Sequence, residues 1–319
     1  MDKEKDELKR LTAFILLITI LTLTGPGAQV RVWAEEKTSA QAAGTGEEAA
    51  VPGAELRMLA NAQGSQMLGV VIYSEDGRTV VIDGGCDDDG DQLVETIKRN
   101  GGEVDAWLIT HPHSDHVGAL RNILQNRADE IRINKIYYSL APGEWYEERG
   151  DNTAASLLAE LSKLPRENIC DTIGKGFEIE AGSIHITVLN DRYTMDSDPI
   201  NNSSIVYLVK AGGQNIVFLG DMGYDGGYQL LRDAKGLLKA DIVQMAHHGQ
   251  KGVDKKVCEA IAPRICLWPT PQWLWDNDKG KGYNTGHWRT IETRKWMQSL
   301  GVAENYCTKD GEVVLQLTQ

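Results

Sequence analysis

Hydrophobic and polar positions change over along this chain in short blocks. Apolar runs at 69–73 and 79–83, separated by the turn residues Glu75-Asp76-Gly77, predict a β-hairpin. Residues 91–99 have helical spacing and lead to the uninterrupted apolar strand 106–110. A second helix is expected at 118–126 and another strand at 131–138. The second half repeats the style, with strands expected at 184–189, 203–210 and 215–219, the last two joined through Gly212-Gly213. Helices at 228–239, 254–261 and 288–300 then interleave with strands at 241–245, 264–268 and 311–317. Two mixed β-halves, each followed by helices, predict an α/β fold of two packed sheets with helices outside.

The N-terminal block follows a different rule. Lys3, Lys5, Lys9 and Arg10 among four acids precede an uncharged, mostly apolar run of 14 residues, 11–24, which Gly25-Pro26-Gly27 ends. That length suits the core of a signal peptide, roughly 7–15 residues, and falls short of the roughly 20 of a membrane span. Ala34 offers a small residue for cleavage, so 1–34 is expected to be a signal peptide or an uncleaved N-terminal anchor, and the protein secreted or membrane-anchored. No Cys lies near the end of the run, which excludes a lipid anchor at that point. Residues 35–54, rich in Ala, Gly, Glu and Thr, read as a disordered linker, and 55–319 as one domain.

Composition changes this picture in two respects. The 319 residues carry 33 Lys and Arg against 46 Asp and Glu, a net charge of −13, so no overall field draws the protein toward nucleic acid or an anionic membrane. A polyanionic substrate would have to be held locally. Five cysteines, an odd number, cannot all pair internally; Cys258 with Cys266 is one conceivable pair. Oligomeric state is not legible in the chain.

One segment carries chemistry. Thr110-His111-Pro112-His113-Ser114-Asp115-His116 places three imidazoles and a carboxylate directly after an apolar strand. Imidazole with carboxylate is a ligand set for zinc or a similar divalent ion. Two further apolar strands end in ligand-type side chains, one in Asp221 and one in the pair His247-His248.

HPHSDH resembles the HxHxDH signature of the metallo-β-lactamase superfamily, whose fold is a four-layer αββα sandwich. Asp83-Gly84-Gly85 is similar to its first motif. NNSSIV, FLGD, ADIVQMAHHG and NTGH resemble the metallohydrolase domain of the DNA-uptake channel protein ComEC and its free-standing secreted relatives, over about 56–317. The resemblance implies that His111 and His113 bind one ion and that Asp115, His116 and His247 bind a second, with Asp221 bridging. His248 would lie beside the site or replace His247 as ligand, and Asp83 would orient the ligand turn from beneath. The superfamily usually supplies its first ion with a third His between the turn and the bridging Asp. Only His185 lies in that interval here, in mid-strand by its pattern, so the first position is expected to be weaker or to be completed by water, Asn202 or substrate. One or two divalent ions are expected, zinc before manganese.

Such a centre supports hydrolysis, because bound ions acidify water and neutralise charge growing on a phosphoryl or carbonyl oxygen. Asp115 would orient the nucleophile, and His248 or His287 would protonate the leaving group. The expected substrate is a phosphodiester of nucleic acid or a cell-wall polymer. Lys251, Lys255, Lys256, Lys279, Lys281 and Arg289 are cations that could assist. Hydrolysis of an acyl or lactam substrate is the alternative. A third reading is a catalytically degenerate surface binding protein, suggested by Trp268, Trp273, Trp275, Tyr283 and Trp288, rings that could line one wall of the site. Cys86 reads as a small buried thiol and 87–91 as a solvated acidic turn.

Overall fold

The computed structural model describes residues 53–318. Residues 1–34, expected to be an export segment, and nearly all of the expected linker therefore lie outside the described residues. Two seven-stranded sheets stack face to face. The first runs in the order Val313–Leu317, Ala54–Met58, Gly69–Ser74, Thr79–Asp83, Ala106–Leu108, Ile136–Tyr137, Ile169–Cys170. The second runs Glu304–Cys307, Ile265–Trp268, Ile242–Gln244, Gln214–Phe218, Tyr207–Ala211, Ile184–Val188, Glu178–Ala181.

Burial explains why the sequence forms these layers. In Ile184–Val188 and Tyr207–Ala211 the alternate residues Ile184, Ile186, Val188, Tyr207, Val209 and Ala211 are buried, while His185 and Lys210 face solvent. They meet Leu56, Ile72, Ile82 and Leu108 of the first sheet in one inter-sheet core. Strands with helices over their other face are buried throughout: Val81 and Trp107 pack against Leu93 and Leu120, and Val217 and Val243 against Leu230 and Val257. Helices outside and sheets inside make the expected four-layer αββα sandwich.

Differences from the expected elements have local causes. Residues 131–138 divide into Arg132–Ile133 and Ile136–Tyr137, because the first pairs with Glu103–Val104 in a small separate sheet. The strand expected from 203 starts at Tyr207, since Pro199–Asn202 forms a helical turn to which the Ser203 hydroxyl donates at the Ile200 carbonyl, and the Ser204 hydroxyl accepts from the Asp221 amide. Ala54, expected in the linker, already pairs with Leu317 and Ser74. All five cysteines are free, so Cys258 and Cys266 are not joined. Among the described residues no helix is long and apolar enough to cross a membrane.

Candidate metal centre

The chemistry-bearing residues collect where strands from both sheets end. Ala106–Leu108 runs through Ile109 into Thr110 and His111, and the following helix Ser114–Asn126 carries Asp115 and His116 in its first turn. From the second sheet, Gln214–Phe218 leads to Asp221 and Ile242–Gln244 leads to His247 and His248. The sheets are tied together here: the Tyr207 hydroxyl donates to the Ile109 carbonyl (2.7 Å), and the Ile205 amide to the Thr110 carbonyl (2.9 Å). Gly220, at φ 57°, passes so close that a Cβ would lie 2.9 Å from Thr110 and from Ser204, which leaves room for glycine only.

Two ligand trios result. His111, His113 and Asp221 form one, and Asp115, His116 and His248 the other; within each, the ligating atoms lie within 4.8 Å of one another. Asp221 stands between them, Oδ1 3.1 Å from His116 Nε2 and Oδ2 3.4 Å from His248 Nε2 and 3.9 Å from His111 Nε2. His248 thus takes the place in the second trio expected of His247. The latter lies with Nε2 3.8 Å from Asp221 Oδ2.

Three of the rings are held from behind. His116 Nδ1 lies 2.7 Å from Asp83, His248 Nδ1 3.0 Å from the Pro269 carbonyl, and His111 Nδ1 3.1 Å from the Thr110 hydroxyl. Each contact leaves Nε2 directed inward, the usual way a protein orients imidazole toward an ion. Asp83 is fully buried beneath the turn and also accepts from the Thr110 amide and hydroxyl, both at 2.7 Å. Gln244 is equally specific: Oε1 accepts from the Leu219 and Gly220 amides, and Nε2 donates to the Gly220 and Met245 carbonyls. Gln66 donates to Asp115 Oδ2 (2.7 Å) and accepts from Gln250 (3.1 Å). A polar residue inside an apolar strand was the available signal for Gln244; Gln66 had none.

The electrostatics suit cations. Among the described residues His116 Nε2, Asp221 Oδ1 and His248 Nε2 are buried without a well-formed hydrogen bond, although each belongs to a polar group costly to leave unsatisfied. Burial pushes the His248 pKa down, but Asp221 and Asp115 outweigh it and hold the ring up at about 9. His116 is likewise raised, Asp221 and Asp83 overcoming its burial, whereas burial drives His111 well below the usual imidazole value. For Asp221 and Asp115 burial opposes charge, yet the surrounding imidazoles hold both carboxyls below their usual range. The residues present fit a divalent ion at each trio.

Other expected residues lie elsewhere. Asn202 is used structurally: Oδ1 accepts from the Gly223 and Gly226 amides and Nδ2 donates to the Ser197 carbonyl, so it fixes the start of helix Tyr224–Ala234 instead of completing the first position. His185 is exposed beside Glu180. His287 is exposed, its ring against Trp288 (4.7 Å), and among the described residues no hydrogen bond, ion pair or ring contact joins it to the cluster. Trp288 packs between His287 and Trp273, whose indole donates to the Gly64 carbonyl; Trp268 is buried in the second sheet. The aromatic segment thus packs partly on itself and partly on the loop carrying Gln66. Cys86 is pushed up to about 12 by burial and by its acidic neighbours, and Asp89 is occupied by the Cys86 amide and Asn61.

A two-sheet sandwich with paired His/Asp trios at its strand ends defines a member of a metallo-hydrolase superfamily. The superfamily is the metallo-β-lactamase superfamily, to which this chain belongs: its description matches residues 68–263. The chain is similar to ComE operon protein 3 of Bacillus subtilis, 24% identical over 166 residues, which are 52% of this chain and 20% of that protein. It is also similar to the probable metallo-hydrolase YqgX of the same organism, 27% identical over 156 residues, 48% of this chain and 64% of the relative. The match thus spans less than two thirds of either curated relative. Among solved structures, YhfI from Bacillus subtilis shares the fold at a TM-score of 0.50 and 14% identity, covering 82% of this chain and 99% of its own. Unliganded yeast PDE1 does so at 0.53 and 10%, covering 84% and 100%. CmlA, a diiron β-hydroxylase from Streptomyces venezuelae, does so at 0.52 and 13%, covering 85% and 55%.

Proposed function

We propose that this protein is an exported, metal-dependent phosphodiesterase. The observation that carries the reading is Asp221, one buried carboxylate facing both trios, the arrangement needed to hold two divalent ions side by side. Such ions, zinc before manganese, would supply Lewis acidity toward a phosphoryl oxygen and a nucleophile from water near neutral pH. The side chains of His113 and Asp115 are 28% and 17% exposed while their partners are buried, so substrate meets the centre on their side. Asp115, held by Gln66, orients the attacking group there. A cavity of about 260 Å³ is lined by Asp198, Asn202, Asp225, Lys251 and Arg289; Lys251 and Arg289, the latter paired with Glu292, are the cations there that could meet a second anionic group of the substrate. The resemblance of NNSSIV, FLGD and ADIVQMAHHG to the metallohydrolase domain of the DNA-uptake channel protein favours nucleic acid or a cell-wall polymer as the phosphodiester. The N-terminal apolar run supports export.

The test is turnover of bis(p-nitrophenyl) phosphate and single-stranded DNA by the purified protein with zinc or manganese, beside the lactam nitrocefin. Metal-dependent phosphodiester cleavage is expected. Since ion-based charge stabilisation amounts to several kcal/mol, His113→Ala should lower it by about 100-fold or more. Faster cleavage of nitrocefin would assign an acyl substrate, and no turnover with any metal would leave a binding protein.

A further inference from the structure

We infer that His247 supplies the third imidazole that the first metal position lacks. This rests on the metal-dependent reading above and adds a ligand to it. His185, the one His between His116 and Asp221, is exposed on Ile184–Val188, and Asn202 spends its amide on helix Tyr224–Ala234. Neither completes the trio of His111, His113 and Asp221; the Asp151 carboxylate lies 4.0 Å from His113 Nε2, with its Oδ1 spent on the Thr153 and Ala154 amides.

His247 faces that trio from its Asp221 edge. Its Nε2 lies 3.8 Å from Asp221 Oδ2, and His111 Nε2 lies 3.9 Å from the same oxygen. Ligands about 2.0–2.2 Å from a tetrahedral ion stand about 3.3–3.6 Å from one another, so both gaps are within a few tenths of an ångström of spanning one ion. His247 stands outside the tight grouping of His111, His113 and Asp221, and its ring must swing inward to close the set. No hydrogen bond pins it: among the described residues Nδ1 is buried without a partner, and the nearest charged group to Nε2 is Asp221 at 3.8 Å. His111, His116 and His248, by contrast, are pinned through Nδ1.

The backbone supplies an independent reason. In an extended chain successive side chains point to opposite sides, so a His-His pair at a strand end would offer one ring to the centre. Here both residues are left-handed, His247 at φ 52° and His248 at φ 53°, a conformation uncommon outside glycine. The double turn brings both Nε2 atoms to the same Asp221 oxygen, at 3.8 and 3.4 Å. One ring then serves each ion.

The test is metal content per chain, by mass spectrometry after zinc loading and desalting, for wild type, His247→Gly and His185→Ala. Glycine suits the φ of residue 247, so this variant keeps the fold, and His247→Asn provides a second one. Two ions are expected in wild type and His185→Ala. One is expected in both His247 variants, with at least tenfold weaker binding of the other and loss of part of the visible absorption of the cobalt-loaded protein. Two ions and an unchanged cobalt spectrum in His247→Gly would overturn the assignment, as would a single ion in wild type. These readouts need no turnover, so a protein that loses one ion as stated yet cleaves no phosphodiester would overturn the proposed function alone.

Discussion

Asp83 shows how much one residue can determine without touching the reacting groups. It adopts φ 56°, unusual for a side chain other than glycine, and spends its carboxylate on the Thr110 amide, the Thr110 hydroxyl and His116 Nδ1. Burial raises its pKa, and His116 and Thr110 oppose that rise. Replacing it with Asn keeps the volume but removes the charge and turns one of the two acceptor oxygens, the one that meets the Thr110 hydroxyl and His116 Nδ1 if Oδ1 stays on the Thr110 amide, into an NH2 donor. Asp83→Asn should therefore weaken zinc binding by about 10–100-fold, the usual effect of losing the partner behind a ligand. Competition with a chelating dye measures it, and unchanged affinity would show that His116 is not held for an ion. Residues such as Asp83 were legible because a short motif carried them. His247 and His248 were legible only as a pair, because their division of labour depends on two left-handed φ values that no spacing reveals.

Elements were legible where burial enforces a period and not where pairing alone decides. Both hairpins and the apolar strands before His111, Asp221 and His247 stood out, since each is apolar and bounded by turn residues. The division of residues 131–138 between two sheets leaves no mark on a run of apolar and polar residues. Helix Thr153–Leu161 and strand Glu178–Ala181 were likewise unread. The turn after Gln214–Phe218 is held by the next strand in sequence: Gln244, at the end of that parallel neighbour, satisfies two amides and two carbonyls. Gln244→Leu would leave the Leu219 and Gly220 amides buried and unpaired, at about 1–3 kcal/mol each. Chemical denaturation should show a loss of about 2–5 kcal/mol. A loss under 1 kcal/mol would mean the loop finds other partners.

At the scale of the molecule, the centre joins two halves, since His111, His113, Asp115 and His116 come from the first and Asp221, His247 and His248 from the second. Their titration makes metal-free stability depend on pH in two directions. His248 and His116 bind protons more tightly in the folded chain, so their contribution is complete below the unfolded value of about 6.5 and is lost as pH rises, for His248 through about 9. His111 and His247 bind protons less tightly when folded, so stability also falls as pH drops below about 6.5. The Tm of chelator-treated protein should peak near pH 6.5 and decline on both sides. Saturating zinc, which binds imidazole without its proton, should remove the alkaline decline. The same decline with and without zinc would show that His116 and His248 are not ligands.

The pairing of Ala54–Met58 with Gly69–Ser74 and Val313–Leu317 also fixes where the described chain begins relative to the centre. Gly69 lies opposite Asp83 at the end of the first sheet that holds the ligands, whereas Ala54 lies opposite Ser74 and Leu317 at the other. The described chain therefore begins about 17 Å, one strand length, behind the metal centre. The first described residues and the exposed ligands His113 and Asp115 thus lie at opposite ends of the first sheet, which leaves the open side of the centre clear of the chain's described beginning.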